Sequence, residues 1–391
     1  MTSGAGTDAT LLDALFTPEG QANPYPLYRA LLDAGPVHQG PEGAWYVVGY
    51  EACRRVLLDR GCGCRPGEGD PQGGRLSASM VMHDPPEHAR LRRAVSWAFT
   101  PPEVEPLRDR IAGIADRAID GMLARGGGDA ITELAYPLPA AVIGEVLGIS
   151  PGDTEQFRAL AAVGVPRSAG EQAAREADAR LEACFTALIE GRRDRPVEDV
   201  LGRLVAMCDG DGALTEEELT STVMLLYIAG VLTTTSFIGN ALLALDAHPE
   251  VTRRLRADPS LLLPAVEEVL RWDNPVPVVA RNVFEPVVVD GHRMEPGDRV
   301  VVVLGAGNRD PRRFEDPDRF LIDRPGNVPL SFGWGVHRCL GAHLARLEGE
   351  IVLGRLLERC ASVEVLEPDP PRLPGLMIRG PASLPVRLVA R

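Results

Sequence analysis

The sequence contains no lysine: all 41 basic residues among its 391 are arginine. Together with 41 glycines, 34 prolines and abundant alanine, that usage reflects a GC-rich coding bias and carries no mechanism. Basic charge is also short in total, because 55 acidic residues leave a formal net charge of −14. A field of that sign repels phosphate backbones and anionic lipid, which sets nucleic acid aside as a partner. Long apolar runs are missing too. The most apolar stretch, 223–232, falls well short of the roughly 18 residues that a bilayer span requires. Residues 1–10 lack the charged start and apolar middle of a signal peptide, so the expectation is a cytoplasmic protein that enters no membrane. Cysteine is sparse and odd in number: Cys53, Cys62, Cys64, Cys184, Cys208, Cys339 and Cys360 are scattered and fit reduced thiols better than a disulfide framework. No internal repeat or low-complexity linker divides the chain, so residues 1–391 are expected to form one unit.

What is present is apolar material for a large core, 45% hydrophobic residues against 25% charged, with helical periodicity first and strands concentrated in the last third. Helices are expected at 25–34, 51–58, 85–99, 104–124, 132–147, 154–165, 171–191 and 197–207, with a short strand at 45–48. Between 61 and 76 glycine, proline and polar residues follow no period, as in a surface loop that covers a binding site. Thr215 followed three residues later by Glu218 is a capping box. It opens a helix to about residue 248 whose middle, 224–244, is apolar nearly all round and therefore belongs in the core. A helix at 264–272 has Pro264 in its first turn, strands follow at 287–291 and 299–304 around a turn, and a last helix spans 339–358. The fold class is mainly α with a smaller β region.

The most informative stretch is Phe332-Gly333-Trp334-Gly335-Val336-His337-Arg338-Cys339-Leu340-Gly341. Two glycines give a loop tight enough to bring backbone amides to one sulfur. A cysteine at a helix start, beside Arg338 and His337, would be held as thiolate by those amides and by the helix dipole, and a thiolate can ligate a metal. A buried structural cysteine or a phosphate loop would not need Phe, Gly, His and Cys at these spacings. The stretch resembles the ligand loop F-G-x-G-x-H-x-C-x-G of the cytochrome P450 haem-thiolate enzymes, and it matches at every defined position. The resemblance implies the cytochrome P450 fold of the soluble bacterial class and haem b. It makes Cys339 the proximal iron ligand, whose electron donation favours O–O cleavage, with Phe332, Gly333 and Gly341 shaping the cofactor pocket.

Other segments agree. Glu268 and Arg271 stand in the family's E-x-x-R at i, i+3 spacing, and Pro317-Asp318-Arg319-Phe320 matches its P-x-R-F segment, so Glu268, Arg271 and Arg319 are expected to form a structural network. The haem propionates need cationic partners, for which the resemblance points to His88 and Arg92 on one helix face, to Arg281, and to His337. Electrons are expected from NAD(P)H through a separate reductase and a ferredoxin, the residues present being accounted for by the haem-binding unit. Arg93 and Arg338 belong to the expected ferredoxin surface. Cys62 and Cys64 lack the second pair that a metal site requires, and His83, His248, His292 and His343 show no ligand spacing.

One departure stands out. The long helix carries Ala229-Gly230-Val231-Leu232-Thr233-Thr234 against the family's A-G-x-(D/E)-T-(T/S). Ala229 and Gly230 let the helix open beside the cofactor, and the hydroxyls of Thr233 and Thr234 are the candidate catalytic groups. Leu232 replaces the acid that supplies protons in the resembling enzymes. Three readings stay open: hydroxylation with protons from water or substrate, oxidative coupling by hydrogen abstraction, and a non-catalytic haem-binding or sensor protein. The segment through Ser236-Phe237, with the apolar run 300–305, is locally similar to mycocyclosin synthase-type P450s, which makes cyclic dipeptides (diketopiperazines) the preferred substrate class. Polyketide, terpenoid and aromatic scaffolds stand behind it. By resemblance, substrate contacts fall in the loop 61–81, at 163–167, at Tyr227 and Leu232, and at Val276, Val278 and Val279. These are largely apolar walls that suit a neutral small molecule.

Overall fold

The capping box forms: the Thr215 hydroxyl accepts from the Glu218 N–H at 3.2 Å, and the Glu218 carboxylate accepts from the Thr215 N–H at 2.9 Å. The 32-residue helix Glu216–Ala247 follows and, at 1.5 Å per residue, crosses the fold over about 48 Å. The computed structural model describes residues 4–40, 42–67, 74, 76–150, 152, 171–210 and 212–391. Among them this helix alone is long and apolar enough to cross a bilayer, and 67% of its apolar window is buried inside the protein. Its apolar circumference is covered by the helices Pro137–Leu147, Leu262–Trp272 and Ala342–Arg359. Together they make the main core, with Val223, Met224, Val266, Val269 and Val352 wholly enclosed.

A five-stranded sheet lies beside this core, in the spatial order Val37–Gln39, Trp45–Val47, Arg299–Val302, Val279–Val283, Cys62–Gly63. Its second and third strands run parallel and the other pairs antiparallel. Gly127–Asp129, Pro385–Ala390 and Cys360–Val365 make a second sheet. The strands are therefore not confined to the last third: those at 37–39, 62–63 and 127–129 are two or three residues long, too short to show alternation, and exist because the fold brings a partner strand alongside each. The turn after Val287–Val289 is a tight hairpin, with φ of 49° at Asp290 and 80° at Gly291, and its second strand is His292–Met294. Arg299–Val302 belongs to the larger sheet instead.

The helical expectations hold with local adjustments. The segment expected at 132–147 splits into a π-helical turn, Ile131–Ala135, and the helix Pro137–Leu147. Pro137 has no N–H to continue the preceding turn and fits a first-turn position. The final helix begins at Ala342, so Cys339 lies in the loop ahead of it. The helix expected at 154–165 falls outside the described residues.

Glu268 and Arg271 pair face to face with both side chains fully buried, Arg271 Nε and Nη2 each donating to a Glu268 oxygen at 2.7 Å. Arg271 also donates to the carbonyls of Asn308 (2.9 Å), Pro317 (2.8 Å) and Arg319 (3.0 Å), so one guanidinium gathers the irregular strap from 308 to 327 onto the helix. The expected role of the Arg319 side chain is corrected: it is 68% exposed and reaches only Asp316 at 3.4 Å. The second cation on Glu268 is Arg324, 4% exposed, at 3.3 Å. Arg319 serves the network through its carbonyl.

Candidate functional site

Between the long helix and the Cys339 loop lies a cavity of about 300 Å³. The loop's shape follows from its glycines. Gly333 and Gly335 sit at φ of 65° and 73°, and a Cβ on Gly335 would stand 2.5 Å from the Leu57 carbonyl oxygen, which leaves only glycine free of strain there. With the turn closed, the Cys339 N–H donates to the Phe332 carbonyl at 2.8 Å and the Gly333 N–H to that of Leu330 at 2.7 Å. Cys339, Phe332, Gly333 and Gly341 then all border the cavity.

The Cys339 thiol is accessible from the cavity and otherwise enclosed by protein. The Gly341 N–H and the guanidinium of Arg92 favour its thiolate, yet burial outweighs them and pushes the thiol's pKa up. This corrects the expectation that protein groups alone hold it ionised. The helix dipole starts three residues too late, and desolvation wins. A bound metal ion would deprotonate the sulfur outright.

The four expected propionate partners converge on the same cavity. Arg281 is buried and donates to the Ala280 carbonyl at 2.8 Å, while Arg92 is half-buried. Among the described residues neither is ion-paired with a carboxylate. His88 and His337 lie with ring centroids 4.3 Å apart. Burial, then the neighbouring His337 and Arg92, drive the His88 pKa down to about 4. His337 is also lowered, by burial and Arg281, although its Nε2 meets Asp84 Oδ1 at 3.3 Å. Two guanidiniums facing one space with no carboxylate paired to either among the described residues, a thiol opening on it, and apolar walls between them fit haem b. The sulfur would take the iron, Arg92 and Arg281 with the two histidines would take the propionates, and the walls would cover the macrocycle.

On the opposite side the long helix contributes Ala229, Gly230, Thr233 and Thr234. The Thr233 hydroxyl donates to the Ala229 carbonyl at 2.7 Å and the Thr235 hydroxyl to Val231 at 2.8 Å, the back-bonding that helix-interior threonines favour. Thr234 is buried and borders the cavity. Of the expected substrate contacts, Val276 and Val279 line the cavity, as do Met80 and Val81 from the loop 61–81. Three others do not. Tyr227 is turned into the core against Phe185, ring centroids 5.7 Å apart. Val278 packs on the cluster around Tyr28 and Val303. Leu232 is 36% exposed and outside the cavity lining, because each residue turns the helix by 100° and the position before Thr233 faces aside. Residues 163–167 fall outside the described residues. Sequence reasoning missed Leu225, Leu226 and Phe237, which extend the apolar wall, and Glu348. The signal for Glu348 was a lone acid on the inward face of the last helix, four residues after Leu344.

Comparison with known proteins agrees with this geometry. The cytochrome P450 family model matches residues 171–383. The cytochrome P450 monooxygenase PikC of Streptomyces venezuelae is 41% identical over 94% of this chain and 91% of its own length. The polyketide biosynthesis cytochrome P450 PksS of Bacillus subtilis is 34% identical over 96% of this chain and 98% of its own. Among solved structures, the P450 enzyme CxnD, described as forming a C–S bond in chuangxinmycin biosynthesis, superposes with a TM-score of 0.88 at 32% identity, covering 96% of this chain and 97% of that one. With the ligand loop, the buried Glu268–Arg271 pair and these relatives in agreement, the chain belongs to the cytochrome P450 family.

Proposed function

We propose that this protein is a cytoplasmic monooxygenase that hydroxylates a polyketide or a comparable secondary metabolite, with electrons passing from NAD(P)H through a separate reductase and a ferredoxin. One observation carries the reading: a single cavity brings the Cys339 thiol and four cationic or imidazole groups together with an apolar wall that bears Thr233 and Thr234. Bound there, haem supplies oxygen activation. The chain's own residues do the rest. Arg92 and Arg281 hold the anionic edge. Leu225, Leu226, Phe237, Val276 and Val279 exclude water and favour a largely apolar substrate. The Thr234 hydroxyl, and the lone pairs that Thr233 retains, can accept and pass on a proton.

Cyclic dipeptides, the preference at the level of sequence, give way to polyketides, because PikC and PksS are a monooxygenase and a polyketide-biosynthesis enzyme by name. Oxidative coupling stays as the second reading, favoured by Leu232 at the usual acidic position and by the bond-forming chemistry named for CxnD. A spectral titration of the ferric protein with macrolide, linear polyketide and cyclic dipeptide panels, followed by product masses, separates them. A gain of one oxygen supports hydroxylation, and loss of two hydrogens or substrate dimerisation establishes coupling. Absence of any turnover with a competent redox partner would leave the non-catalytic haem-binding reading.

A further inference from the structure

By spacing alone Cys64 has no metal-ligating partners, yet the fold brings it two. Its Sγ, a carboxylate oxygen of Asp84 and a ring nitrogen of His337 all lie within 4.8 Å of one another on half-buried side chains, and His337 also borders the cavity. Asp84 Oδ1 meets His337 Nε2 at 3.3 Å. The surroundings fix the cluster in place. Strand Cys62–Gly63 pairs with Val279–Val283, the Arg65 carbonyl accepts from Asn282 Nδ2 at 3.0 Å, and the Arg65 guanidinium covers the Phe284 ring at 3.9 Å. The Cys64 N–H donates to Asp84 Oδ1 at 2.8 Å and the Arg65 N–H to Oδ2 at 3.2 Å. A Cβ on Gly63 would stand 2.1 Å from Asp84 Oδ2, so glycine is what lets the carboxylate come this close to Cys64. These donors leave lone pairs on the carboxylate, whose charged partner among the described residues is His337. One other cluster of this kind exists among the described residues, Cys208 with Asp209 and Glu216. There Arg193 already bridges the two carboxylates, at 2.8 and 2.6 Å.

We propose that Cys64, Asp84 and His337 form a site for one zinc-class divalent cation, separate from Cys339. Thiolate, imidazole and carboxylate are the donor types that zinc takes, and three protein ligands leave its fourth position to water. Tetrahedral bonds of about 2.0–2.3 Å put ligand atoms about 3.3–3.6 Å apart, so the Asp84–His337 separation already fits and the sulfur closes by side-chain rotation. The Cys64 S–H proton leaves to water as the Zn–S bond forms. Thiolate and carboxylate then balance the dication, which avoids a half-buried net charge. Bound through Nε2, His337 keeps Nδ1–H as a donor, the half of the ring that a haem propionate requires, so the two roles are compatible. The ion ties the loop after Cys62–Gly63, the segment ahead of the helix Glu87–Ser96 and the Cys339 loop together at the propionate edge, as a clip against haem release. Such a site goes beyond monooxygenation and requires neither substrate nor turnover.

The test uses tag-free, haem-loaded holoenzyme exposed to Zn²⁺ and dialysed. Elemental analysis should find about one zinc per chain. The zinc K-edge spectrum, blind to iron, should show one sulfur at about 2.3 Å with nitrogen and oxygen at about 2.0–2.2 Å. Cys64→Ser and Asp84→Asn should each weaken zinc retention by about 100-fold or more, since loss of an outer-shell partner alone costs about 10- to 100-fold. Cys208→Ser should retain both the ion and its sulfur neighbour. With zinc at about ten times its Kd, haem transfer to apomyoglobin should slow about tenfold in the wild type, because opening the clip must first lose the ion. Zinc should leave that rate unchanged in Cys64→Ser. No zinc retained by the wild type, zinc without a sulfur neighbour, or wild-type retention in Cys64→Ser overturns the site. A wild-type haem-transfer rate that zinc does not alter overturns the clip. Should Cys64→Ser fail to bind haem, wild-type zinc retention in Asp84→Asn, or loss of the sulfur neighbour in Cys208→Ser, overturns the site instead.

Discussion

Glu268→Ala should be among the most damaging single substitutions in this protein, although it lies outside the cavity. The carboxylate is fully buried and accepts both Arg271 donors at 2.7 Å, the Leu321 N–H at 2.8 Å, Asn327 Nδ2 at 3.1 Å and Arg324 Nε at 3.3 Å. Alanine leaves two guanidiniums, at 0% and 4% exposure, without a counter-charge. Stripping one partner from a buried pair costs about 3–5 kcal/mol, mostly as the penalty of an uncompensated charge. The carbonyls of Asn308, Pro317 and Arg319 still accept from Arg271, which keeps the loss within that range rather than above it. Urea unfolding of the holoenzyme, followed by haem absorbance, should show that loss, and limited proteolysis should cut first between residues 309 and 327. The double variant Glu268→Leu/Arg271→Leu should recover part of the stability by removing the stranded charge. A Glu268→Ala protein within about 1 kcal/mol of wild type would refute the view that this pair holds the strap.

Other outcomes follow from the same structure. Cys339→Ser should remove the thiolate-type band of the reduced carbon monoxide complex, and an unchanged spectrum would disprove the ligand assignment. Arg281→Leu should weaken haem retention by roughly 10- to 150-fold, the loss expected for a charge-assisted contact of about 1.5–3 kcal/mol; haem transfer to apomyoglobin measures it, and a wild-type rate would place the propionates elsewhere. Glu348 is an acid whose folded pKa of about 8 lies above its ordinary value of 4.5. Its stabilising contribution is therefore complete at low pH and lost as pH rises from about 4.5 toward 8. Glu348→Gln should gain on wild type by about 1.4 kcal/mol per pH unit across that window, and parallel stability curves would show the carboxyl to be ionised in the native protein.

The parts of this protein that the sequence revealed are those whose chemistry fixes residue type and spacing together. A loop that must turn at two left-handed glycines and end on a sulfur leaves a readable pattern from Phe332 to Gly341, and a capping box followed by an unbroken apolar run announces the long helix. What stayed hidden depends on rotation, backbone atoms or desolvation. The resemblance places Tyr227, Val278 and Leu232 in segments that do border the cavity, but neighbouring side chains on a helix or strand point in different directions. Arg319 matches a motif whose working atom is a carbonyl, which any residue carries, whereas Arg324 reaches the network with no motif to mark it. The charge state of Cys339 turns on how much water the folded loop excludes, a quantity that no local pattern contains.

Arg379 has a consequence for how the chain is made. Its guanidinium is bound to Asp273 at 2.8 Å and to the carbonyls of Gln21 at 2.7 Å and Ala22 at 3.1 Å. Asn240 of the long helix also donates to the backbone carbonyls of both Asp273 and Arg379, each at 3.0 Å. The knot thus joins the beginning, middle and end of the polypeptide, across a separation of 358 positions from Gln21 to Arg379. During synthesis from the N-terminus, those early carbonyls stay without this partner until Arg379 itself has left the ribosome. Closure of the N-terminal segment therefore waits on a distant part of the chain and carries the entropy cost of a very long loop.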